Sequence, residues 1–434
     1  MRGGFTLALT LIGTCLVTLL PSLRTSTEAV ASEPPRYAIV DLGAMAGGPP
    51  GGNTEAKFIN QRGQVAGDGW CCNPVGVGGF PTDAFVWQPG QASLRDLGTL
   101  VGFENSNALA FSLRGDVVGF VWLRLSSREH AFLWQPTTGM RDLDGLGGDF
   151  SVADGINKRG QVVGYAATRA EGIRAFLWQE GKGMQDLGVL PGSKGGSSRA
   201  FGINDRGQIA GDSSTASGPS HAVIWQPRGG IQDLGTLGGT SSVAQFINNR
   251  GQVAGTSETS QIGVTHAFLW QERRSMQDLG NLGKLNIVVR GLNNRGEVVG
   301  HSTSRTGNEH AFIWQPGRGM LDLGTLGGST SDAFGINDRG QVVGVSDTAI
   351  VDPALCGSPI FACSHAFVWQ PETGMLDLGT LGGSARSEAT SINNRGQIVG
   401  GSGGHATDQA SHAVIWQRAE DEGDLVDEAL PDAD

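Results

Sequence analysis

Short apolar segments alternate with turn-forming residues along most of this chain, and no segment repeats its apolar residues at a helical spacing. A representative stretch begins with the apolar segment Ala333 to Asn337, followed by Asn337-Asp338-Arg339-Gly340. An Asn that opens and a Gly that closes four residues predict a type I turn, with Gly free to take positive φ. Residues Gln341 to Val345 are therefore predicted to form the second arm of a hairpin.

The stretch continues with two more predicted strands. In the segment His365 to Gln370, His, Phe and Trp fall on one side of an extended chain, while Ala, Val and Gln fall on the other. Pro371 to Gly374 form a predicted turn, and Met375 to Leu378 form a fourth short strand. Four short strands, together with 70 Gly in the chain, indicate an all-β fold.

The same pattern occurs eight times, at intervals of about 45 to 50 residues. It is marked by the aspartates of an Asp-Leu-Gly word at Asp41, Asp96, Asp142, Asp186, Asp233, Asp278, Asp322 and Asp377. Four antiparallel strands with one Trp per repeat match a β-propeller blade better than the shorter β-helix repeat. Residues 32 to 417 are therefore predicted to form a propeller of eight four-stranded blades.

The two ends of the repeat region are complementary. Tyr37 to Leu42 form a lone fourth strand, whereas the last repeat finishes with its third strand, His412 to Gln417. An N-terminal strand that completes the last blade would close the ring and remove a free sheet edge. Residues 418 to 434 are predicted to be an acidic tail, although Asp424 to Leu430 also resemble a fourth strand and could compete for the same place.

The third strand carries the words that allow a family resemblance to be stated. His-Ala-Phe or His-Ala-Val occurs with its histidine at six positions, while Asp83 and Arg174 replace the histidine in two repeats. Over residues 37 to 417 the chain resembles the bacterial extracellular HAF-repeat family. The resemblance implies an exported bacterial repeat protein and does not imply an activity.

The first 31 residues have the pattern of a signal peptide. Arg2 precedes an apolar run from Phe5 to Leu20, and Ala29-Val30-Ala31 fits a signal-peptidase site before Ser32. Cys15 does not fit a lipid anchor because Thr14 precedes it. No second apolar stretch follows, so we expect a secreted or extracellular protein without integral membrane association, with the periplasm as the alternative.

Charge limits the classes of partner. A net charge of −11 argues against nucleic acid, which needs clustered positive charge. Eight arginines nevertheless share one position in the predicted hairpin turn, where a ring of them could attract an anionic polysaccharide. The simpler interpretation is that each covers its own turn or pairs with a neighbouring blade. These residues are Arg62, Arg114, Arg159, Arg206, Arg250, Arg295, Arg339 and Arg395.

The repeated histidines and tryptophans are predicted to be structural. Histidines about 45 residues apart cannot share one metal ion at about 2 Å, so we expect each to form a hydrogen bond within its blade, with the Asp-Leu-Gly aspartate as a candidate partner. Each repeated tryptophan is predicted to pack between sheets. The two sets are His130, His221, His266, His310, His365 and His412, and Trp87, Trp134, Trp178, Trp225, Trp270, Trp314, Trp369 and Trp416.

Residues outside the repeat pattern are the candidates for function. Trp70 and Trp122 lie in the predicted variable loop between the second and third strands, and are a candidate platform for sugar stacking or else local loop anchors. This loop is longest in the first and seventh repeats, which contain Cys71, Cys72, Cys356 and Cys363. Local pairing of Cys71 with Cys72 and of Cys356 with Cys363 is favoured over disulfides between the two loops.

The sequence contains no recognisable catalytic motif: a nucleophile elbow, a zinc-protease helix and a phosphate-binding loop are all missing. No cofactor or metal is expected, and the oligomeric state is left open. We therefore expect an exported non-enzymatic scaffold that binds a glycan or a protein through its long-loop face. The alternatives are an extracellular carbohydrate-active hydrolase or lyase, indicated by two titratable groups near the central channel, and a structural surface or matrix protein.

Overall fold

A computed structural model describes residues 35–45, 52–71, 81–170, 172–193, 195–351, 363–403 and 411–419. The predicted signal peptide, Cys15, Cys72, Cys356 and the segment Asp424 to Leu430 lie outside these residues. Among the described residues, no helix is both long and apolar enough to cross a membrane.

The described residues contain 32 strands, which pair in consecutive sets of four that we call units one to eight. Units one to four consist of β2 (Thr54–Ile59), β3 (Val65–Trp70), β4 (Thr82–Trp87), β5 (Arg95–Asp96); β6 (Asn105–Phe111), β7 (Val117–Trp122), β8 (Glu129–Gln135), β9 (Gly139–Asp142); β10 (Gly147–Ile156), β11 (Val162–Thr168), β12 (Ile173–Gln179), β13 (Gly183–Asp186); and β14 (Ser198–Ile203), β15 (Ile209–Ser214), β16 (Ser220–Gln226), β17 (Gly230–Asp233).

Units five to eight repeat the arrangement. They consist of β18 (Gly238–Ile247), β19 (Val253–Thr259), β20 (Thr265–Trp270), β21 (Gln277–Gly280); β22 (Gly283–Leu292), β23 (Val298–Ser304), β24 (Glu309–Gln315), β25 (Gly319–Asp322); β26 (Gly327–Ile336), β27 (Val342–Thr348), β28 (Ser364–Gln370), β29 (Gly374–Asp377); and β30 (Ser387–Ile392), β31 (Ile398–Gly403), β32 (Ser411–Arg418) with β1 (Tyr37–Asp41). One short 3-10 turn, Leu381–Gly383, precedes β30.

Within each unit, strands that are neighbours in sequence pair antiparallel. Six units form separate four-stranded sheets, whereas units two and three share an eight-stranded sheet through one parallel pair, Phe150 with Glu129. The all-β prediction and its four-stranded repeat are therefore confirmed. Eight as the number of blades stays a prediction, because the strand pairing defines seven sheets.

The N-terminal strand belongs to the last unit. Strand β1 pairs antiparallel with β32, placing Ile39 opposite Trp416, and the Leu42 N–H donates to the Ala413 carbonyl at 2.9 Å. The predicted closure is thus present, and β32 no longer presents a free edge.

The first strands of successive units contact one another, and β2 contacts β30 as well as β6, so these strands surround the centre of a closed ring. In seven units an asparagine after the first strand strengthens this contact, because its side-chain amide donates to a backbone carbonyl of the next unit; in unit two Ser112 takes its place. Asn157 donates to Asn204 at 3.0 Å, and Asn393 of unit eight donates to Asn60 of unit one at 3.1 Å. A cavity of about 290 Å³ opens at this end of the ring.

The core lies between successive units rather than in one central mass. Each repeated tryptophan packs against apolar residues of the adjacent unit, and all eight are at most 7% exposed. Trp416, for example, packs against Leu378 and Val343 of unit seven and Tyr37 of β1. The prediction that these tryptophans are core residues is confirmed.

Candidate functional site

The six repeated histidines each bind the Asp-Leu-Gly aspartate of their own unit. The distance from the histidine Nδ1 to the nearer carboxylate oxygen is 2.8 Å in His130–Asp142 and 2.9 Å in His221–Asp233. In unit eight the aspartate is contributed by β1, and His412 lies 2.8 Å from Asp41. The predicted histidine–aspartate hydrogen bond is therefore present in six of the eight units, with each histidine in a different unit.

Two units replace this histidine, with different results. In unit three the guanidinium of Arg174 takes its place, with Nε 4.0 Å from the Asp186 carboxylate. In unit one the replacement is a second acid, Asp83, whose Oδ2 lies 2.9 Å from the Cys71 Sγ. Asp83 is 4% exposed, and unit one therefore has a buried acid where the other units have an imidazole or a guanidinium.

The electrostatics of this acidic position follow from burial. Loss of hydration raises the pKa of Asp83 to about 6; the Asp96 carboxylate adds to this rise, while hydrogen bonds from Cys71 and Ser106 oppose it. Burial also raises the pKa of Asp96, against one hydrogen bond from the Gly98 N–H. Ligand atoms of Cys71, Asp83 and Asp96 lie within 4.8 Å of one another, the one such group of three found in the described part of the chain.

The cysteine pairing stays a prediction. Cys71 and Cys363 are both buried, in units one and seven, while Cys72 and Cys356 lie outside the described residues. The backbone of Cys363 is ordered by the sheet, since its carbonyl accepts a hydrogen bond from the Thr348 N–H at 2.8 Å.

Trp70 and Trp122 do not lie in the variable loops, and the placement of both in loops is wrong. Each is the last residue of a second strand, β3 or β7, because these strands continue beyond the residues that the repeat predicts to be extended. Trp70 lies opposite Thr82, and Trp122 lies opposite Glu129. Trp70 is 37% exposed, whereas Trp122 is half-buried against Phe120, with ring centroids 5.4 Å apart.

The two tryptophans occupy the same position of adjacent units, three residues after the repeated glycine. The other units have small or polar residues there: Ala167, Ser214, Glu258, Thr303, Asp347 and Gly403. The buried side chain of Asn105 connects Thr82 of β4, the residue paired with Trp70, to Trp122 of β7. The Asn105 Oδ1 accepts a hydrogen bond from the Thr82 N–H at 3.0 Å, and its Nδ2 donates to the Trp122 carbonyl at 3.5 Å. Both indoles therefore lie at the loop end of one inter-unit junction.

A second candidate site lies on the first strands around the centre of the ring. Glu55, Asp332 and Glu388 share one position on the first strands of units one, seven and eight. Asp332 is ion-paired with Arg290, at 3.2 Å from Nη2, and its carboxylate also lies 2.8 Å from the His301 Nδ1. Units one, seven and eight thus contribute three carboxylates, and unit six contributes the two basic side chains.

Glu388 is the perturbed member of this group. Burial, aided by the carboxylates of Glu55 and Asp332, raises its pKa to about 7, against the opposing charge of Arg290. A carboxyl group with a pKa near neutrality beside an ion-paired carboxylate is an arrangement suited to proton transfer. The repeat pattern shows that Glu55, Asp332 and Glu388 are equivalent, but it does not show that the three side chains come together in the closed ring.

Another carboxylate is perturbed on the first strand of unit three. Burial raises the pKa of Asp154 to about 7, and Arg199 of unit four opposes the rise. Arg199 itself binds Asp212 through two nitrogens, each 3.1 Å from a carboxylate oxygen. Because Arg199 is already paired with Asp212, its charge only partly offsets the effect of burial on the pKa of Asp154.

Two of the eight hairpin-turn arginines form hydrogen bonds to the next unit. Arg159 donates from Nε to the Asp205 carbonyl of the next unit at 2.9 Å, and Arg295 donates to the Arg339 carbonyl at 3.0 Å. These two fit the simpler interpretation, in which the arginine joins neighbouring units.

No protein-family model and no curated protein sequence matches this chain. Among solved structures, the chain is similar to one from an analysis of two prolyl endopeptidases, with a TM-score of 0.54 and 8% identity over 85% of this chain and 55% of that one. It also matches the β-propeller domain of the trilobed protease from Pyrococcus furiosus, with a TM-score of 0.48 and 11% identity over 76% and 99% of the two chains. The chain is a β-propeller.

A third match to this propeller is the BP39L lectin from Burkholderia pseudomallei, with a TM-score of 0.42 and 8% identity over 78% of this chain and 96% of the lectin. The propeller spans about half the length of the first peptidases that it matches, with 44% of a puromycin hydrolase and 55% of the prolyl endopeptidase structure covered. At these identities the likeness concerns the fold alone.

Proposed function

We propose that this propeller is an exported, non-enzymatic binding protein that holds a glycan against Trp70 and Trp122 on its long-loop face. The observation that carries the proposal is the placement of two tryptophans at one repeat position of adjacent units, where the remaining units have small or polar residues. Export is supported by the sequence of residues 1–31.

The physical argument begins with exposure. The repeated tryptophans are at most 7% exposed, whereas Trp70 is 37% exposed. Exposed aromatic side chains on a rigid strand offer a large apolar face at small conformational cost, which suits the C–H face of a sugar ring. Because both indoles are on strands, the protein does not have to order a loop before binding.

Polar groups for the sugar hydroxyls lie next to these indoles. Glu129 is paired with Trp122, and Arg128 stacks over the Phe103 ring at 5.2 Å from its centroid. The Glu104 carboxylate accepts a hydrogen bond from the Arg124 N–H at 3.2 Å. An apolar face flanked by a few fixed polar groups is the usual composition of a small-ligand site.

Replacement of both Trp70 and Trp122 by alanine is expected to weaken binding of the recognised oligosaccharide about tenfold or more, because each stacked aromatic contributes upwards of about 1 kcal/mol. A screen of neutral oligosaccharides against the purified protein, followed by calorimetric titration of the variant, measures this. Leu125→Ala is the matched control, since Leu125 is exposed on the same face outside the tryptophan pair. Undiminished binding by the double variant would place the ligand elsewhere.

A second function, hydrolysis of a glycosidic bond at the ring centre, is favoured by one observation. Glu388, with its pKa near 7, could donate a proton while Asp332 or Glu55 acts as the second carboxylate. Most hydrolases of this class use two carboxyl groups, one as the acid and one as the base or nucleophile.

If the second function holds, Glu388→Gln should lower the hydrolysis rate of an aryl glycoside by about 100-fold or more, because the amide cannot donate the proton. Activity of the parent protein should fall as the pH rises above about 7, where Glu388 loses its proton. Glu272→Gln, at an exposed turn of unit five, is the control. Equal rates for the Glu388 and Glu272 variants would exclude Glu388 as the acid.

A further inference from the structure

A cavity of about 640 Å³ opens at the turn face of units six to eight. Because strands within a unit run antiparallel, the first and third turns of every unit lie on the face opposite to the variable loops. The cavity is therefore remote from the loop end where Trp70 and Trp122 lie. Its positive side chains are Arg295, Arg318, Arg339 and Arg418, and its acids are Glu297 and Glu372.

One of these acids forms the wall of the cavity. Glu297 occupies the place of the glutamine in most repeats and is 2% exposed. Its carboxylate is fully used: Asn293 donates to Oε2 at 2.6 Å, Gln315 donates to Oε1 at 2.7 Å, and Arg295 lies 3.1 Å from Oε1. Glu297 therefore neutralises Arg295 and fixes its position.

The first turn of unit seven packs against Glu297 and Arg295 through Gly340. Gly340 has a φ of +85°, and a Cβ at this position would lie 3.3 Å from the Glu297 carboxylate and 3.5 Å from the Arg295 guanidinium. Glycine thus serves both the turn conformation and the close approach. As a result Arg339, the residue before it, is placed on the cavity rim beside Arg295.

The other three arginines have no such neutralising partner. In the part of the chain that the structure describes, the guanidinium groups of Arg318, Arg339 and Arg418 form no ion pair or hydrogen bond. Arg418 is half-buried, while Arg318 and Arg339 are exposed. The protein as a whole carries a net charge of −11. The three unpaired guanidinium groups nevertheless give this cavity a positive electrostatic potential that attracts an anion.

The other residues that line the cavity indicate which class of anion would fit it. Gln341 donates to Gln370 at 3.0 Å, so their amides form a fixed polar floor, and the rings of Pro316 and Pro371 add apolar surface at the rim. Guanidinium groups match a planar carboxylate through two parallel hydrogen bonds. The volume suits a ligand of one or two sugar rings rather than a bare ion.

We propose that this arginine cavity, formed by the residues above, binds a carboxylated sugar, with the uronate carboxylate held by Arg318, Arg339 and Arg418. Glu372 at the rim carries the opposite charge and weakens the attraction. The site is independent of the glycan site at Trp70 and Trp122, since it lies on the other face and selects charge rather than an apolar ring face.

The test is calorimetric titration of the purified protein with a glucuronic acid-containing disaccharide, its neutral glucose counterpart and inorganic phosphate. We expect the glucuronate disaccharide to bind and the neutral one to bind at least about tenfold more weakly, because a charged hydrogen bond is lost. Higher salt should weaken the glucuronate complex. Equal binding of both disaccharides, or tighter binding of phosphate than of glucuronate, would overturn the proposal.

Variants assign the binding to the cavity. Arg318→Ala with Arg339→Ala should weaken glucuronate binding about tenfold or more, whereas Glu372→Gln should strengthen it. Arg206→Ala, at the same turn position as Arg339 but in unit four, is the matched control and should bind like the parent. An equal loss in the Arg206 variant would indicate nonspecific attraction to the arginine ring, and would contradict a built site. The Trp70→Ala and Trp122→Ala double variant should retain glucuronate binding, so failure at one face is distinguishable from failure at the other.

Discussion

Replacement of Trp416 by alanine is expected to lower the free energy of unfolding by about 3 to 5 kcal/mol, the range for removal of a buried aromatic side chain. Trp416 is fully buried, and its Nε1 donates to the Leu378 carbonyl of unit seven at 3.0 Å. It also packs against Tyr37 and Ile39 of β1. The substitution therefore leaves a cavity at the place where unit seven and β1 both pack against β32. Denaturant unfolding followed by tryptophan fluorescence measures the loss.

The same substitution at Trp70 provides the control, because Trp70 is 37% exposed and lies at the end of a strand. We expect Trp70→Ala to change the free energy of unfolding by less than about 1 kcal/mol. If Trp416→Ala were no more destabilising than Trp70→Ala, the repeated tryptophans would not be the residues that hold successive units together.

Replacement of Asp83 by asparagine is expected to change how stability depends on pH. The pKa of Asp83 is about 6 in the folded protein and 3.8 when unperturbed, so the folded state holds a proton that the unfolded state has released between these values. Stability from this group is therefore greatest below about pH 4 and decreases as the pH rises to about 6. The shift corresponds to about 3 kcal/mol, a penalty that the neutral asparagine removes at pH 7.

The measurement compares unfolding of the parent and Asp83→Asn proteins at pH 4 and pH 7. Their difference in free energy of unfolding should be larger at pH 7, in favour of the variant. Asp83→His should also stabilise unit one at pH 7, because an imidazole beside Asp96 recreates the pair of the other units. The reverse change, His221→Asp, places a second acid beside Asp233 and should introduce the same pH dependence in unit four. A pH-independent difference between parent and Asp83→Asn would contradict the raised pKa.

The local structure was predictable because it depends on neighbouring residues. The turn at Asn337 to Gly340 has the expected positive φ at glycine, and the third strand begins one residue before His365. The histidine–aspartate pair was predictable as well, since two adjacent strands of a hairpin bring His365 and Asp377 together at a fixed register.

The candidate sites were less predictable, because they depend on which residues of distant repeats meet. Trp70 was assigned to the variable loop because it follows the residues predicted to form the second strand, yet β3 extends through Gly69, opposite Thr54, to Trp70. Its equivalence to Trp122 was available by counting from the repeated glycine. By contrast, the pKa of Glu388 is raised first by burial and then by the carboxylate of Glu55, which lies at the other end of the chain and reaches Glu388 only through ring closure.

The pairing of β1 with β32 also imposes an order on folding. Strands within the other units are close in sequence, so those sheets can form as the chain emerges, whereas His412 and Asp41 are separated by 371 positions. Contacts of such sequence separation form late, because the entropy of closing the intervening loop must be overcome first. Loss of β1 would therefore leave β32 as a free sheet edge, and a chain truncated before β32 would expose two unpaired sheet edges, those of β1 and β31, to other molecules.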